Sequence, residues 1–411
     1  MRLAITGVGI VAPNGIGKET FWKNCVAGIS GIKPITLFDT DRYRCHRAGE
    51  ITEFVPEEYL GSKGLRTLDR TTRLALIAAR LALEDARLEI ISDSRQNIGV
   101  VLGSSMGSLR SISEFDLDGL RDGPRYVNPA HFPNAVMNSP ASQVSIRFHL
   151  QALNTTIASG FTASLDAIGY ALDMLQLGRA QALLVGGVEE LCWQTFTAFH
   201  RLGALSTSPD GGRPPYAPFH AQRRGTLLGE GAVMVVLEPL EAAHRRGAAA
   251  FARILGYGTA FSPAGRLRYD PQARAAVHAI REALHCAEVA PEQIDFISVS
   301  ANGIHACDGM EVSAIQTVFG SRSATLPISA VKSLVGETFS AGGAFQVALA
   351  IGALQDGWIP PTIPFGFDGD DPTPLLPGAA HRTYSAPVRT ALVLGVSLTG
   401  VASALVIARV E

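Results

Sequence analysis

Residues Ser164 to Gly187, SLDAIGYALDMLQLGRAQALLVGG, are the stretch on which the reading of the fold turns. Ser164 to Leu177 is mostly apolar and reads as a buried helix. Gly178-Arg179-Ala180 interrupts it, and Leu183-Leu184-Val185-Gly186-Gly187 follows as a short apolar strand. A buried helix feeding a buried strand is the repeating unit of α/β architecture. Toward the N-terminus, Leu3 to Val11 and Ile98 to Leu102 fit buried strands with glycine in or just after them. Between them, Thr72 to Leu88 (TRLALIAARLALEDARL) carries apolar residues at helical spacing, with charges on the opposite face.

Farther out, the order of elements occurs twice. In the first half, helix Thr72 to Leu88 precedes strand Ile98 to Leu102, which runs into Gly103-Ser104-Ser105. In the second, helix Ala273 to Val289 precedes strand Phe296 to Val299, then Ser300-Ala301-Asn302-Gly303. A Gly/Ala-rich buried helix follows in each, from Ser164 and from Ala341. Each half closes on a strand pair: Ala182 to Val188 with Ala232 to Leu237, and Ala391 to Val396 with Ala404 to Ala408. The pattern breaks at Glu238 to Ala250, so the expectation is two duplicated α/β lobes, residues 1–245 and 246–411, with sites where equivalent loops meet.

Composition closes other doors. The chain has 411 residues, 47% apolar and 18% charged, enough for a large core and too apolar for disorder. A net charge of -2 gives no sign of a nucleic-acid binder. The five cysteines are scattered, with no CxxC or Cys/His metal spacing, which fits free thiols in a reducing compartment. No signal peptide and no membrane-spanning run is apparent, and a cytoplasmic location is expected. Ser206 to Pro218 and Trp358 to Pro377, rich in Pro and Gly, read as irregular loops.

Several short segments then fall in a familiar order. They are Ile5-Thr6-Gly7-Val8-Gly9-Ile10-Val11-Ala12-Pro13, Asn134 to Asn138, Leu205-Ser206 through Arg213-Pro214 and Pro218-Phe219, Gly229-Glu230-Gly231, and Lys332-Ser333 with Gly336. In that order the chain resembles the β-ketoacyl synthases of fatty-acid and polyketide assembly over nearly its whole length. The resemblance implies a thiolase-like fold with five αβαβα layers. It also implies a chemistry of three side chains: a cysteine nucleophile at a helix N-terminus, its thiolate favoured by the macrodipole, and two histidines that promote decarboxylation of the malonyl unit.

Each of those positions departs from the pattern. The nucleophile motif corresponds to Ser159-Gly160-Phe161-Thr162-Ala163, with Phe161 in the place of cysteine. A phenyl ring has no lone pair and no acidic proton, so no thioester starts there. Counting back from Asp308 and Glu311 places the first histidine at Ser300, with Asn302 or His305 as substitutes after a loop shift. The second histidine is replaced by Glu337, whose carboxylate would repel a malonyl group and is expected to serve in an ion pair or loop hydrogen bond. The late glycine-rich loop reads Val396-Ser397-Leu398-Thr399-Gly400, without the aromatic gate of many family members.

The resemblance is therefore to a catalytically inactive chain-length factor of a type II polyketide synthase. Such a subunit pairs with an active β-ketoacyl synthase across a strand-mediated interface and shapes the acyl tunnel. No cofactor of its own is implied; the acyl groups ride on the phosphopantetheine of an acyl carrier protein. Polyenes are favoured slightly over aromatic polyketides, because the glutamine typical of aromatic systems is absent at position 161. By resemblance the tunnel and interface positions are Met106, Phe115, His131, Phe132, Val136, Met137, Phe199 and Leu398. Arg110, Arg121, Arg125, Arg223, Arg224, Arg266 and Arg268 are candidates for an acidic carrier. Two other readings stay open. One is an enzyme with a relocated nucleophile (Ser159, Ser164 or Cys307, with Glu337 or His305 as base); the other is a homodimeric carrier-binding scaffold.

Overall fold

In the computed structural model, which describes residues 1–91, 94–207, 215–264, 267–366, 375–379 and 381–410, the first strand β1 (Leu3–Ala12) is buried along its whole length. Its glycines explain how. A Cβ on Gly7 would lie 2.2 Å from the carbonyl oxygen of Ala82, and one on Gly9 would lie 1.9 Å from that of Ala78. Helix α1 (Arg70–Asp85) therefore packs its backbone directly on β1, with Asp69 capping its start by accepting from the Thr72 N–H at 2.8 Å.

The first half continues with β2 (Ile98–Gly103), helix α2 (Leu109–Asp122), β3 (Asn154–Ile157), helix α3 (Ala163–Gln176), β4 (Ala182–Glu189), helix α4 (Trp193–Arg201) and β5 (Gly231–Pro239). The second half has β6 (Ala252–Phe261), helix α5 (Arg274–Ala287), β7 (Phe296–Ser298), helix α6 (His305–Phe319), β8 (Ile328–Ser329), helix α7 (Gly342–Asp356), β9 (Thr390–Val396) and β10 (Val401–Ala408).

Among the described residues these strands form one sheet of 11, the eleventh being the short Gly15–Ile16 hairpin partner of β1. The order along it is β3-β2-β4-β5-β1-β6-β10-β9-β7-β8. Read from each edge inward, the two halves have the same sequence of strands and the same orientations. β2 is parallel to β3 and β4, with β5 and β1 antiparallel in turn; β7 is parallel to β8 and β9, with β10 and β6 antiparallel in turn. The halves join where β1 pairs β6 through Leu3–Ile254, Ala4–Arg253 and Ile5–Ala252. Even the glycine device recurs: on β6, a Cβ on Gly258 or Gly256 would lie 2.3 Å from the carbonyl oxygens of Ala279 and Ala283 on α5.

Helix α1 covers one outer face, and α5 and α6 cover the other. The apolar helices α3 and α7 lie between the halves and touch strands of both. Their N-terminal turns meet near Ser164, whose hydroxyl accepts from the Ala344 N–H at 2.9 Å. That meeting point is where the site lies. No helix among the described residues is long and apolar enough to cross a membrane.

Candidate functional site

The turn before α3 is fixed by hydroxyls. Asp166 accepts from Ser159, from Thr162 at 2.9 Å, from Tyr257 at 2.6 Å and from Ser403. Gly160 adopts φ +85°, and a Cβ there would lie 2.4 Å from Ser397 Oγ. The backbone N–H of Phe161 donates to that same oxygen at 3.1 Å. Residue 161 thus stands in the turn just before the N-terminus of α3, a position at which a helix macrodipole favours an anion. The side chain there cannot use it. The Phe161 ring is buried, 6.3 Å from Phe199 and 5.4 Å from Phe339 between centroids, and Phe199 and Phe339 are 5.3 Å apart. Three phenyl rings fill the space.

A charged cluster lies beside them. Lys332, fully buried, donates to Glu337 Oε2 at 2.9 Å and to Ser300 Oγ at 2.9 Å. The Asn302 amide donates to the same Glu337 oxygen at 2.7 Å. Glu337 Oε1 accepts from the Phe339 N–H at 2.9 Å, holding Phe339 at φ +50° with its ring against Phe161. The ion pair expected for Glu337 thus has a named partner. Of the positions left open for the first histidine, Asn302 contacts Glu337, Ser300 contacts Lys332, and the His305 ring is exposed at the start of α6. Behind them, Glu311 accepts from the Ser300 N–H at 2.8 Å. Burial holds its carboxyl well above the usual range, helped by Asp308 and Glu337.

The relocated-nucleophile residues are separated. Ser159 donates to Asp166, and Ser164 is buried between helices with no base in contact. The Cys307 thiol is buried and, chiefly by burial, pushed far above its ordinary range, while His305 faces solvent. Cys25, Cys45 and Cys192 are likewise raised by burial, to about 12, 11 and 11. All five cysteines are free, and no metal-holding cluster occurs among the described residues.

The eight tunnel and interface positions fall into two groups. Phe199, Met106 and Leu398 pack in the aromatic cluster with Phe161. Leu398 also borders an open cavity of about 500 Å³ lined by Leu202, Leu267, Tyr269 and Ile304. Phe115 and Phe132, with rings 6.0 Å apart, belong instead to the surface region that carries exposed His131, Val136 and Met137. One carrier candidate is corrected: Arg223 is not a surface arginine but is buried, with Nε 3.1 Å from Asp308. It donates to the carbonyl oxygens of His220 and His305, both at 3.0 Å, and the buried carboxylate supplies its counter-charge. Arg110, Arg121, Arg125, Arg224 and Arg268 are exposed, Arg110 pairing with Glu114 at 2.8 Å. Arg266, Arg213, Pro214 and the acidic turn 368–371 lie outside the described residues.

Sequence reasoning used Lys332 only as a landmark and overlooked Glu189 and Glu190 and the Arg70–Glu230 pair. The one available signal was charge inside apolar surroundings, as in VGGVEEL at 185–191.

Comparison with known proteins bears on this geometry. The β-ketoacyl synthase N-terminal domain matches residues 1–243 and the C-terminal domain matches residues 251–366. A 3-oxoacyl-[acyl-carrier-protein] synthase 2 of Coxiella burnetii is 34% identical over 363 residues, 88% of each chain. One from Staphylococcus aureus is 32% identical over 364 residues, 88% of each chain. Among solved structures, the ishigamide ketosynthase/chain length factor superposes with a TM-score of 0.90 at 31% identity, covering 100% of this chain and 99% of that one. A β-ketoacyl synthase from Burkholderia phymatum gives 0.89 at 27% identity, covering 100% of both. The fold, a large mixed sheet layered with helices, is that of the thiolase-like ketosynthases.

Proposed function

The chain belongs to the β-ketoacyl synthase family, and from that premise we propose that it is a non-catalytic, chain-length-factor-like member. In this reading it pairs with an active ketosynthase and shapes the acyl tunnel in a type II polyketide pathway, polyene-forming by preference, or in a fatty-acid-like one. A partner acyl carrier protein brings the acyl groups, and the setting is the cytoplasm. The observation that carries the proposal is the joint replacement at the site. Phe161 fills the nucleophile position with an inert ring, and Glu337 is committed to Lys332 and Asn302. In this reading, the two positions that would form the thioester and neutralise a developing enolate carry no group suited to either task.

The surface supports an assembly role. β3 is an edge strand with a single neighbour, β2, among the described residues, so a row of backbone donors and acceptors is left unpaired. Near it in the chain stand Leu120, 82% exposed, Tyr126, 80%, and Phe132, 57%. That much apolar surface on one stretch calls for a cover, and a related chain offering the same edge supplies both backbone pairing and apolar area. The same reading divides the chain into lobes at 245/246, which the repeated strand order supports. The structures of a ketosynthase/chain length factor and of an AntDE:AntF complex, in which a type II polyketide carrier protein is bound to its ketosynthase, support the choice of partners.

The test is co-expression with an active ketosynthase and purification through a tag on one chain. A one-to-one complex that elongates acyl chains, with no acyl group on this chain by mass spectrometry, is expected. Covalent acylation and elongation by this chain alone overturns the proposal. A homodimer that ignores the ketosynthase but binds carrier protein replaces it with the scaffold reading.

A further inference from the structure

At the end of β4, two consecutive carboxyls turn inward beneath the segment that carries the exposed apolar residues. Glu189 Oε1 accepts from the backbone N–H of Ser105 at 2.6 Å and of Met106 at 3.0 Å, and from Ser340 Oγ at 2.6 Å. Glu190 Oε1 accepts from the Arg110 N–H at 3.0 Å, in the first turn of α2. Both side chains are buried. Helix α2 itself buries no residue, and the Glu190 contact ties its first turn to the interior. The same junction reaches the closed pocket. The Ser105 hydroxyl donates to Gly160 O at 2.7 Å, in the turn holding Phe161, and Ser340 adjoins Phe339.

We propose that Glu189 and Glu190 are positioning residues that hold segment 104–138 in its docking shape and tie it to the aromatic pocket, so that assembly with a ketosynthase chain depends on these two carboxyls. The inference rests on the heterodimer reading above and adds its regulation.

The electrostatics give the device a direction. Burial pushes Glu189 up to about 7 against its hydrogen-bond donors, and Glu190 up to about 8, with Asp69, Glu230 and Glu189 adding to the rise. Glu50, Glu190 and Glu230 act on the partly buried cation Arg70, while Asp69, Glu230 and Glu189 crowd Glu190 with like charge. Arg70 is committed to Glu230 through Nε at 2.7 Å and Nη2 at 2.5 Å, and Arg110 turns outward to Glu114. Both values lie above the ordinary 4.5, so the closed segment binds more protons than an opened one between pH 4.5 and about 8. Opening therefore becomes easier as pH rises through 7 and 8, and acidification holds the segment shut.

Hydrogen exchange at 104–110, corrected for the intrinsic rate, tests this between pH 6 and pH 9. The opening constant should grow about tenfold or more in the wild type. It should stay flat in Glu189→Gln/Glu190→Gln, where each amide keeps an accepting oxygen but no titrating charge. The affinity for the ketosynthase partner should weaken with pH in the wild type and not in the double variant. Identical profiles in both proteins overturn the inference. If the wild type pairs with no ketosynthase, the heterodimer reading and the assembly link fall, while exchange still decides whether the carboxyls hold the segment. Should the double variant fail to fold, Glu190→Gln alone, which leaves every Glu189 contact in place, should show a smaller rise with pH than the wild type, and an equal rise overturns the role of Glu190.

Discussion

Replacing Glu337 by glutamine isolates one charge in the buried cluster. Glutamine has the same length, and its Oε1 still accepts from the Phe339 N–H, so the aromatic packing is kept. What changes is the position of Oε2, where an NH2 donor now faces the Asn302 amide and Lys332. The Lys332 ammonium, 1% exposed, loses the carboxylate at 2.9 Å and keeps only the Ser300 hydroxyl. An uncompensated buried charge of this kind costs about 3–5 kcal/mol. Adding Lys332→Met removes the second charge too, and the double variant should return to within about 1–2 kcal/mol of the wild type, because a buried pair recovers little more than its own desolvation. The cost should also depend on pH. Burial chiefly, with Asp308 and Glu337, pushes the Glu311 carboxyl well above its usual range. With Glu337 uncharged, Glu311 loses a proton more readily and takes over as counter-ion. The penalty is thus greatest in mild acid and shrinks as pH rises. Urea unfolding of the four proteins of the cycle, followed by fluorescence, reads the coupling. A Glu337→Gln penalty below about 1 kcal/mol, or additive single changes, refutes the account of a paired buried lysine.

Four further outcomes follow from the same geometry. Phe161→Cys should place a thiol at the N-terminus of α3 yet form no carbon–carbon bond, since Asn302, Ser300 and Glu337 supply no imidazole; condensation by this single variant would show the histidine positions to be misassigned. Phe199→Ala removes a ring that touches both Phe161 and Phe339 and should cost about 3–5 kcal/mol in the isolated chain, measured by urea unfolding. In the reconstituted pair, Met106→Ala should lengthen the product, and an unchanged product distribution by mass spectrometry would remove Met106 from the tunnel wall. Gly258→Ala should destabilise the chain by about 1–3 kcal/mol or more, because its methyl meets the Ala279 carbonyl at 2.3 Å on a rigid helix; a wild-type urea midpoint would contradict that contact.

Much of the architecture was legible before any coordinates. Helix α3 was expected at Ser164 to Leu177 and runs Ala163–Gln176; β9, expected from Ala391, runs Thr390–Val396. Those elements carry strong apolar periodicity. The strands that escaped notice are β6, whose ARILGYGTAF mixes glycine and polar residues with its apolar ones, β3, whose Asn-Thr-Thr-Ile is half polar because it lies at an edge, and β8, which is only two residues long. Helix α2 was missed although Leu109, Ile112, Phe115 and Leu120 recur at helical spacing; its apolar residues are not buried within this chain.

By itself, the amino-acid order determined the alternation of buried strands and helices, its repetition, and the chemical inertness of position 161. These follow from side-chain type and local periodicity, which need no knowledge of distant contacts. Only the tertiary structure decided which groups meet. Lys332 reaches Ser300, Asn302 reaches Glu337, Arg223 sinks onto Asp308, and Glu189 gathers amides from residues 105 and 106 with a hydroxyl from 340. A buried charge is tolerated through partners brought from far along the chain. Their identity is therefore a property of the folded packing and not of any local run of residues.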